Sequence, residues 1–207
     1  MQEAFRSGAD IHAATAAQVF NMPPELVTSE MRSAAKAVNF GIIYGIGAFS
    51  LSKDIGVTVY QANQYIKNYL ARYPHVERFM EDVVAGGKEN GYVTTLFGRR
   101  RPVPELLASN KVMQAAGKRI AMNTPIQGTA ADIIKMAMVN VYKRLEREVP
   151  QARLILQVHD ELIVEVPTAQ AMAAAKILGE EMQQVVHLAV PLTADVSMGE
   201  SWYDAKG

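Results

Sequence analysis

The 207-residue chain is 49% apolar and 20% charged, the balance of a soluble globular protein of one or two domains. Lys plus Arg and Asp plus Glu number 21 each, so global charge points to neither a polyanionic partner nor a membrane, and any such partner must be met by local clustering. There is no cysteine, which excludes disulfides and thiolate metal sites and fits a reducing cytoplasm. No apolar run approaches the roughly 18 residues of a membrane span, and MQEAFRSGAD has no signal-peptide core.

In chain order, most of the pattern predicts helix. DIHAATAAQVF (10–20) reads as helical and is stopped by Asn21, Pro23 and Pro24. Thr28 or Ser29 caps the next helix, which runs through MRSAAKAVNFGIIYG until Gly45 and Gly47 break it. Thr58 with Gln61 fits a capping box for a helix over 59–72, and Pro74 starts another that Gly91 ends. GYVTTLFGRRRPVPEL then reads as an irregular β segment, and a long helical region follows from 109 to 149 with a kink or restart at Pro125. LILQV and LIVEV flank a three-residue polar tip, HDE, as a hairpin. Thr168 caps a helix to about 188, VPLTADVSM reads as a last strand, and SWYDAKG closes the chain. The expected class is α+β, mostly helical, with a small antiparallel sheet and a β-hairpin.

Three constellations carry candidate chemistry. Arg32, Lys36, Phe40 and Tyr44 recur at steps of four, so at about 100° per residue they share one helix face. That face is either a charged rim over a core containing the two aromatics, or a site for a ligand anionic at one end and flat at the other. Gly41, Gly45 and Gly47 favour the second reading, because they leave backbone bare beside the rings. Arg119, Asn123 and Gln127 repeat the spacing with donors suited to phosphates, sugars or base edges, yet Thr124, Pro125 and Gln127 equally satisfy a capping box. Asp160 and Glu161, after His159, could hold a hard cation such as Mg²⁺, or be the ordinary polar tip of a hairpin. Arg99, Arg100 and Arg101 read as a solvated loop or a phosphate contact.

Taken in order, RSAAKAVNFGIIYG, RIAMNTPIQGTAADIIK and QVHDELIVEV resemble the C-terminal part of the family A DNA polymerases, the bacterial polymerase I group. DIHAATAAQVF, GYVTTLFGRRRPVP and SWYDAK extend the resemblance over essentially the whole chain. It implies a fingers subdomain over 1–92 and the C-terminal half of a palm over 93–207. It also implies that Arg32 and Lys36 hold the triphosphate of an incoming dNTP, with help from His12. Phe40 would lie against base and sugar, and Tyr44 would occupy the templating-base position until closure. Arg119, Asn123 and Gln127 would contact primer-template DNA, with His159 near the primer terminus. Asp160 would bind one metal of a two-Mg²⁺ site and Glu161 would support it.

A two-metal site needs carboxylates from two places, and the family's other aspartate lies in a DYSQIELR-like motif upstream of the segment resembling EAFRSGADIH. Asp10, Asp132, Asp195 and Asp204 lack that context, so the polypeptide alone is expected not to polymerise DNA without the N-terminal part of the polymerase. Self-association through palm surface normally covered by that part is a further expectation. Two other classes stay open: a non-catalytic nucleotide or primer-template module that needs a partner chain, and a phosphate-binding nucleotidase suggested by GIIYGIG. The latter is weak, because no GK[ST] follows and the glycines end a helix. Phe40, by the same resemblance, implies discrimination against dideoxynucleotides. In a complete polymerase carrying this helix, equal incorporation of deoxy and dideoxy substrates would refute that role.

Overall fold

The structure, a computed structural model, describes residues 2–20 and 22–206; Met1, Asn21 and Gly207 lie outside the described residues, as do the side chains of Glu3, Ala4 and Val19. The chain packs as two compact units that meet in sequence between Gly128 and Thr129.

Several helices of the first unit begin or end where the sequence marks them, although α1 and α4 were not expected. After a short α1 (Gln2–Arg6), α2 (Ile11–Val19) starts at Asp10, whose carboxylate accepts from His12 N and Ala13 N at 2.9 and 3.1 Å. A 3₁₀ turn at Pro24–Leu26 leads to α3 (Ser29–Ile43), capped by the Thr28 hydroxyl accepting from Met31 N. The capping box of Thr58 and Gln61 forms as expected and opens α5 (Val59–Arg72). Pro74 begins α6 (Pro74–Asn90), which ends at Gly91 in the left-handed region, φ 77°. Between α3 and α5 lies α4 (Ala48–Asp54), a seven-residue helix absent from the sequence expectation because Gly47, with no capping side chain, gives it no start signal.

Val38, Ile42, Leu51, Ala62 and Tyr69 form one core in this unit, drawing α3, α4 and α5 together. Burial pushes the Tyr69 phenol up to about 12, and its hydroxyl, shut off from solvent, has no hydrogen-bond partner. A second core joins Val93, Val103, Leu106 and Ala121 around the hairpin β1 (Tyr92–Thr94) and β2 (Arg100–Pro102), a 3₁₀ turn at Pro104–Leu107, and α7 (Lys111–Asn123).

At Pro125 the helix neither stops nor sharply restarts. Thr124–Gly128 is a π-helical stretch between α7 and α8 (Thr129–Glu148). Proline has no N–H to donate and its ring crowds the carbonyl four residues back; the wider π turn relieves both. The capping-box alternative fails for the same reason, since the Thr124 hydroxyl donates back to Ile120 O at 2.7 Å.

The second unit packs α8 on the hairpin β3 (Arg153–Val158) and β4 (Glu161–Glu165) and on α9 (Ala171–Gln184), through Val141, Leu145, Leu162 and Ile177. Three expectations need correction here. Thr168 opens a 3₁₀ turn and makes no side-chain cap, so α9 starts at Ala171 and ends at Gln184. The hairpin tip is two residues, not three, because Glu161 already pairs with Val158. VPLTADVSM forms no strand among the described residues; it lies along α9, with Val196 packed against Gly179 and Ala194 O accepting from Gln183 Nε2 at 3.0 Å. Alternation marks an extended chain, but only a partner's hydrogen bonds make it a strand. The chain closes in α10 (Trp202–Lys206).

No helix among the described residues is long and apolar enough to cross a membrane.

The end of α3 requires a left-handed residue. Gly45 N donates to Ile42 O at 2.9 Å and Ile46 N to Gly41 O at 2.7 Å, the pair of bonds of a Schellman motif, with Gly45 at φ 76°. A Cβ at Gly45 would also run into Met122 Cε on α7. Gly45→Ala should therefore cost about 1–2 kcal/mol through the left-handed backbone alone, read as a lower urea midpoint of the first unit. An unchanged midpoint would contradict that account.

Candidate nucleotide and metal site

The helix α3 separates its duties by face. Ala35, Val38, Asn39 and Ile42 are buried at spacings of three and four. Arg32, Lys36 and Phe40 are exposed and Tyr44 is half-buried, so the aromatic end is not sunk in the core. Phe40 itself is 44% exposed, which removes the reading in which the line of four is a rim running into core. Phe40 and Tyr44 stack with centroids 6.2 Å apart and planes 27° apart. Gly41 is not bare, however: Ile46 packs onto it after the turn, so its lack of a Cβ serves the helix end. Gly47 is open.

The helix α2 brings a second set of groups to α3. The Asp10 carboxylate, besides capping α2, accepts a charge-assisted hydrogen bond from Arg32 Nε. That guanidinium holds the Asp10 carboxyl below its ordinary range. His12 lies 5.7 Å from Phe40, ring centroid to centroid. Asn39 Nδ2 is 3.0 Å from His12 Nδ1, and Asn39 Oδ1 is 3.1 Å from Thr15 Oγ1. Desolvation pushes the His12 pKa below that of an ordinary histidine; Asp10 pulls it up, while Arg32 and Lys36 push it further down. Neither Asp10 nor Asn39 was singled out for binding from the sequence. An aspartate just before an apolar helix is an N-cap signal, and an asparagine inside the buried stripe of Ala35, Val38 and Ile42 breaks its pattern; both were available clues.

Of the donors on α7, Arg119 is exposed and comes close to Gly45 at the end of α3, so these two sequence constellations meet within the first unit. Asn123 is half-buried, with its Oδ1 shut off from solvent and without a hydrogen-bond partner among the described residues, and Gln127 is exposed on the π turn. The run Arg99–Arg101 is exposed along and just before β2, and the Arg100 guanidinium lies 4.6 Å over the Tyr92 ring. A groove of about 310 Å³ bounded by Asp82, Gly86, Asn90, Tyr92 and Pro125 contains none of the candidate residues.

In the second unit, His159 and Asp160 form the two-residue turn between β3 and β4. His159 has φ 52°, a left-handed first turn residue of the kind that matches the twist of a tight hairpin. Gln157 Nε2 donates to His159 O at 2.7 Å and pins the tip. Asp160 is exposed. One Glu161 oxygen lies 3.5 Å from Lys206 Nζ; the other is shut off from solvent with no partner. Hard oxygen donors on a rigid turn fit part of a Mg²⁺ shell. Among the described residues no group of three His, Cys, Asp or Glu side chains converges.

Residues 1–204 match DNA polymerase family A. The chain belongs to that family. It is 48% identical over 204 residues to the DNA polymerase I of Geobacillus stearothermophilus, covering 99% of this chain and 23% of that protein. It is 47% identical over 203 residues to the thermostable DNA polymerase I of Thermus thermophilus, covering 98% and 24% respectively. The chain thus spans about a quarter of the length of these curated relatives. Its fold is similar to the POL domain of Pol1 from M. smegmatis, solved in complex with DNA primer-template and dNTP, with a TM-score of 0.93 and 38% identity over 100% of this chain and 36% of that one. The mostly helical α+β fold expected from sequence is thereby that of a polymerase domain.

The surroundings of His12 generate a pH prediction. Its folded pKa is depressed, so the stability it contributes is present above the ordinary histidine value of about 6.5 and is lost as pH falls through the folded value. In an NMR titration, Asp10→Asn should lower the His12 pKa further and Lys36→Ala should raise it. Shifts of the opposite sign would rule out this arrangement of charges.

Proposed function

We propose that the chain supplies the nucleotide-gripping fingers, over 1–92, and the C-terminal half of the palm, over 93–207, of a DNA-directed DNA polymerase. The observation that carries this reading is the line of Arg32, Lys36 and Phe40, exposed, and Tyr44, half-buried, with His12 against Phe40, in a family A chain.

Arg32 and Lys36 bind the triphosphate of an incoming dNTP, joined by His12. Arg32 uses its Nε for Asp10, which leaves the terminal amines of its planar fork for phosphate oxygens and fixes their direction. Phe40 covers base and sugar, and Tyr44 fills the templating-base position until α3 closes. Closure excludes water and tests the shape of the base pair before transfer. Arg119, Asn123 and Gln127 hold primer and template; the unsatisfied Asn123 Oδ1 is an acceptor in want of a donor. His159 sits by the primer terminus.

Asp160 would hold Mg²⁺, with Glu161 supporting it. When bound, Mg²⁺ neutralises the charge that develops as the primer 3′-oxygen attacks the α-phosphorus and pyrophosphate leaves. What the chain's own residues do is hold the phosphates in line and keep the site dry.

Asp160 and Glu161 furnish carboxylates from one place in the chain, whereas a two-metal site draws them from two. The 207-residue polypeptide alone should therefore give no primer extension with Mg²⁺, and extension should appear when an upstream polymerase fragment carrying the second aspartate motif is added. In that reconstituted assembly Lys36→Ala should weaken triphosphate binding and transfer by roughly tenfold or more, the worth of a charged hydrogen bond. Extension by the chain alone would overturn the split-site account. No extension after complementation would favour a non-catalytic binding module.

A further inference from the structure

Asn39 occupies a position where an apolar side chain would cost less. It lies in the buried stripe of α3, is 5% exposed, and its neighbours on that stripe are Ala35, Val38 and Ile42. A buried amide is tolerated when its hydrogen bonds are made, and this one reaches two partners on α2. Its Nδ2 is 3.0 Å from His12 Nδ1, and its Oδ1 is 3.1 Å from the hydroxyl of Thr15, itself 4% exposed. The Thr15 hydroxyl is also 2.8 Å from Ile11 O, so its single proton is shared between that carbonyl and Asn39 Oδ1.

A neutral imidazole has one N–H and one lone pair, so the bond made at Nδ1 decides what Nε2 offers. With Asn39 donating, Nδ1 is the acceptor and Nε2 carries the proton. In the reverse orientation Nδ1 would donate and Nε2 would present a lone pair, which repels a phosphate oxygen. Only the first arrangement lets a neutral His12 act as a donor beside Arg32 and Lys36.

We propose that Asn39 is a positioning residue of the nucleotide site: its side-chain N–H, 3.0 Å from His12 Nδ1, donates to that nitrogen and keeps the ring in the Nε2–H form that hydrogen-bonds a phosphate oxygen. The inference rests on the reading of His12 as a triphosphate contact. It goes beyond that reading by making a residue buried out of ligand reach responsible for the donor. The same bond, with the Asp10–Arg32 pair, ties α2 to α3.

The test uses the 207-residue chain labelled with ¹⁵N, with the His12 resonances assigned by their loss in His12→Gln. The expected spectrum at neutral pH has His12 as a single Nε2–H tautomer, with a coupling across the hydrogen bond between Asn39 Nδ2 and His12 Nδ1. Asn39→Asp, whose carboxylate can only accept, should switch His12 to Nδ1–H. Titration with dATP and Mg²⁺ should show His12→Gln and Asn39→Leu each weakening binding by roughly tenfold, with the double variant no weaker than either single one. A Nδ1–H ring in the unsubstituted chain overturns the proposal without any variant having to fold. If His12→Gln weakens binding while Asn39→Leu leaves it unchanged, the proposal fails and the triphosphate reading of His12 stands. If His12→Gln has no effect, that reading fails and the proposal with it.

Discussion

The organisation of the first unit depends on the pairing of α2 with α3. On one side of α3, Ala35, Val38 and Ile42 are anchored in a core shared with α4 and α5. On the other, Arg32, Lys36 and Phe40 stand exposed and Tyr44 is half-buried. Their order is supplied by polar ties from α2: Asp10 caps its own helix with one carboxylate oxygen and holds Arg32 with the other, while Asn39 reaches from α3 to His12 and Thr15. Because Asp10 serves two elements at once, the start of α2 and the direction of the Arg32 fork are set together.

These ties also govern the electrostatics. Desolvation, with Arg32 and Lys36 adding to it, pushes the His12 pKa below that of an ordinary histidine against the pull of Asp10. A neutral ring contributes a directional hydrogen bond where two cations already provide charge. An anionic ligand would thus find long-range attraction from the cations and geometry from the fork and the ring. In the second unit the strongest charge network lies elsewhere: Arg144 meets Glu148, Glu180 and Glu181, joining α8 to α9 behind the hairpin. The Asp160 carboxylate, outside that network, is exposed.

Helix boundaries were legible wherever a side chain made the cap. Asp10, Thr28, and Thr58 with Gln61 carry their own acceptor, and Pro74 and Gly91 their own backbone preference, so each acts without knowing what the helix packs against. Where the decision belonged to a partner, the reading went astray. VPLTADVSM has the alternation of a strand but lies on α9, and α4 forms behind an uncapped glycine because Leu51 enters the core of α3 and α5. Pro125 signalled a disruption, but whether it would break, kink or widen the helix depended on where the freed carbonyls and the Thr124 hydroxyl could turn.

The sequence by itself determined the periodic line of Arg32, Lys36, Phe40 and Tyr44, the carboxylates of the hairpin and the order of motifs that marks family A, because those follow from spacing along one chain. Only the tertiary structure decided that Phe40 stands out of the core, that Gly41 makes room for Ile46, and that Asp10 meets Arg32 while Asn39 meets His12. Those outcomes are contacts between residues roughly 20 to 30 positions apart or across a turn, and no local periodicity encodes which buried polar group will find which partner.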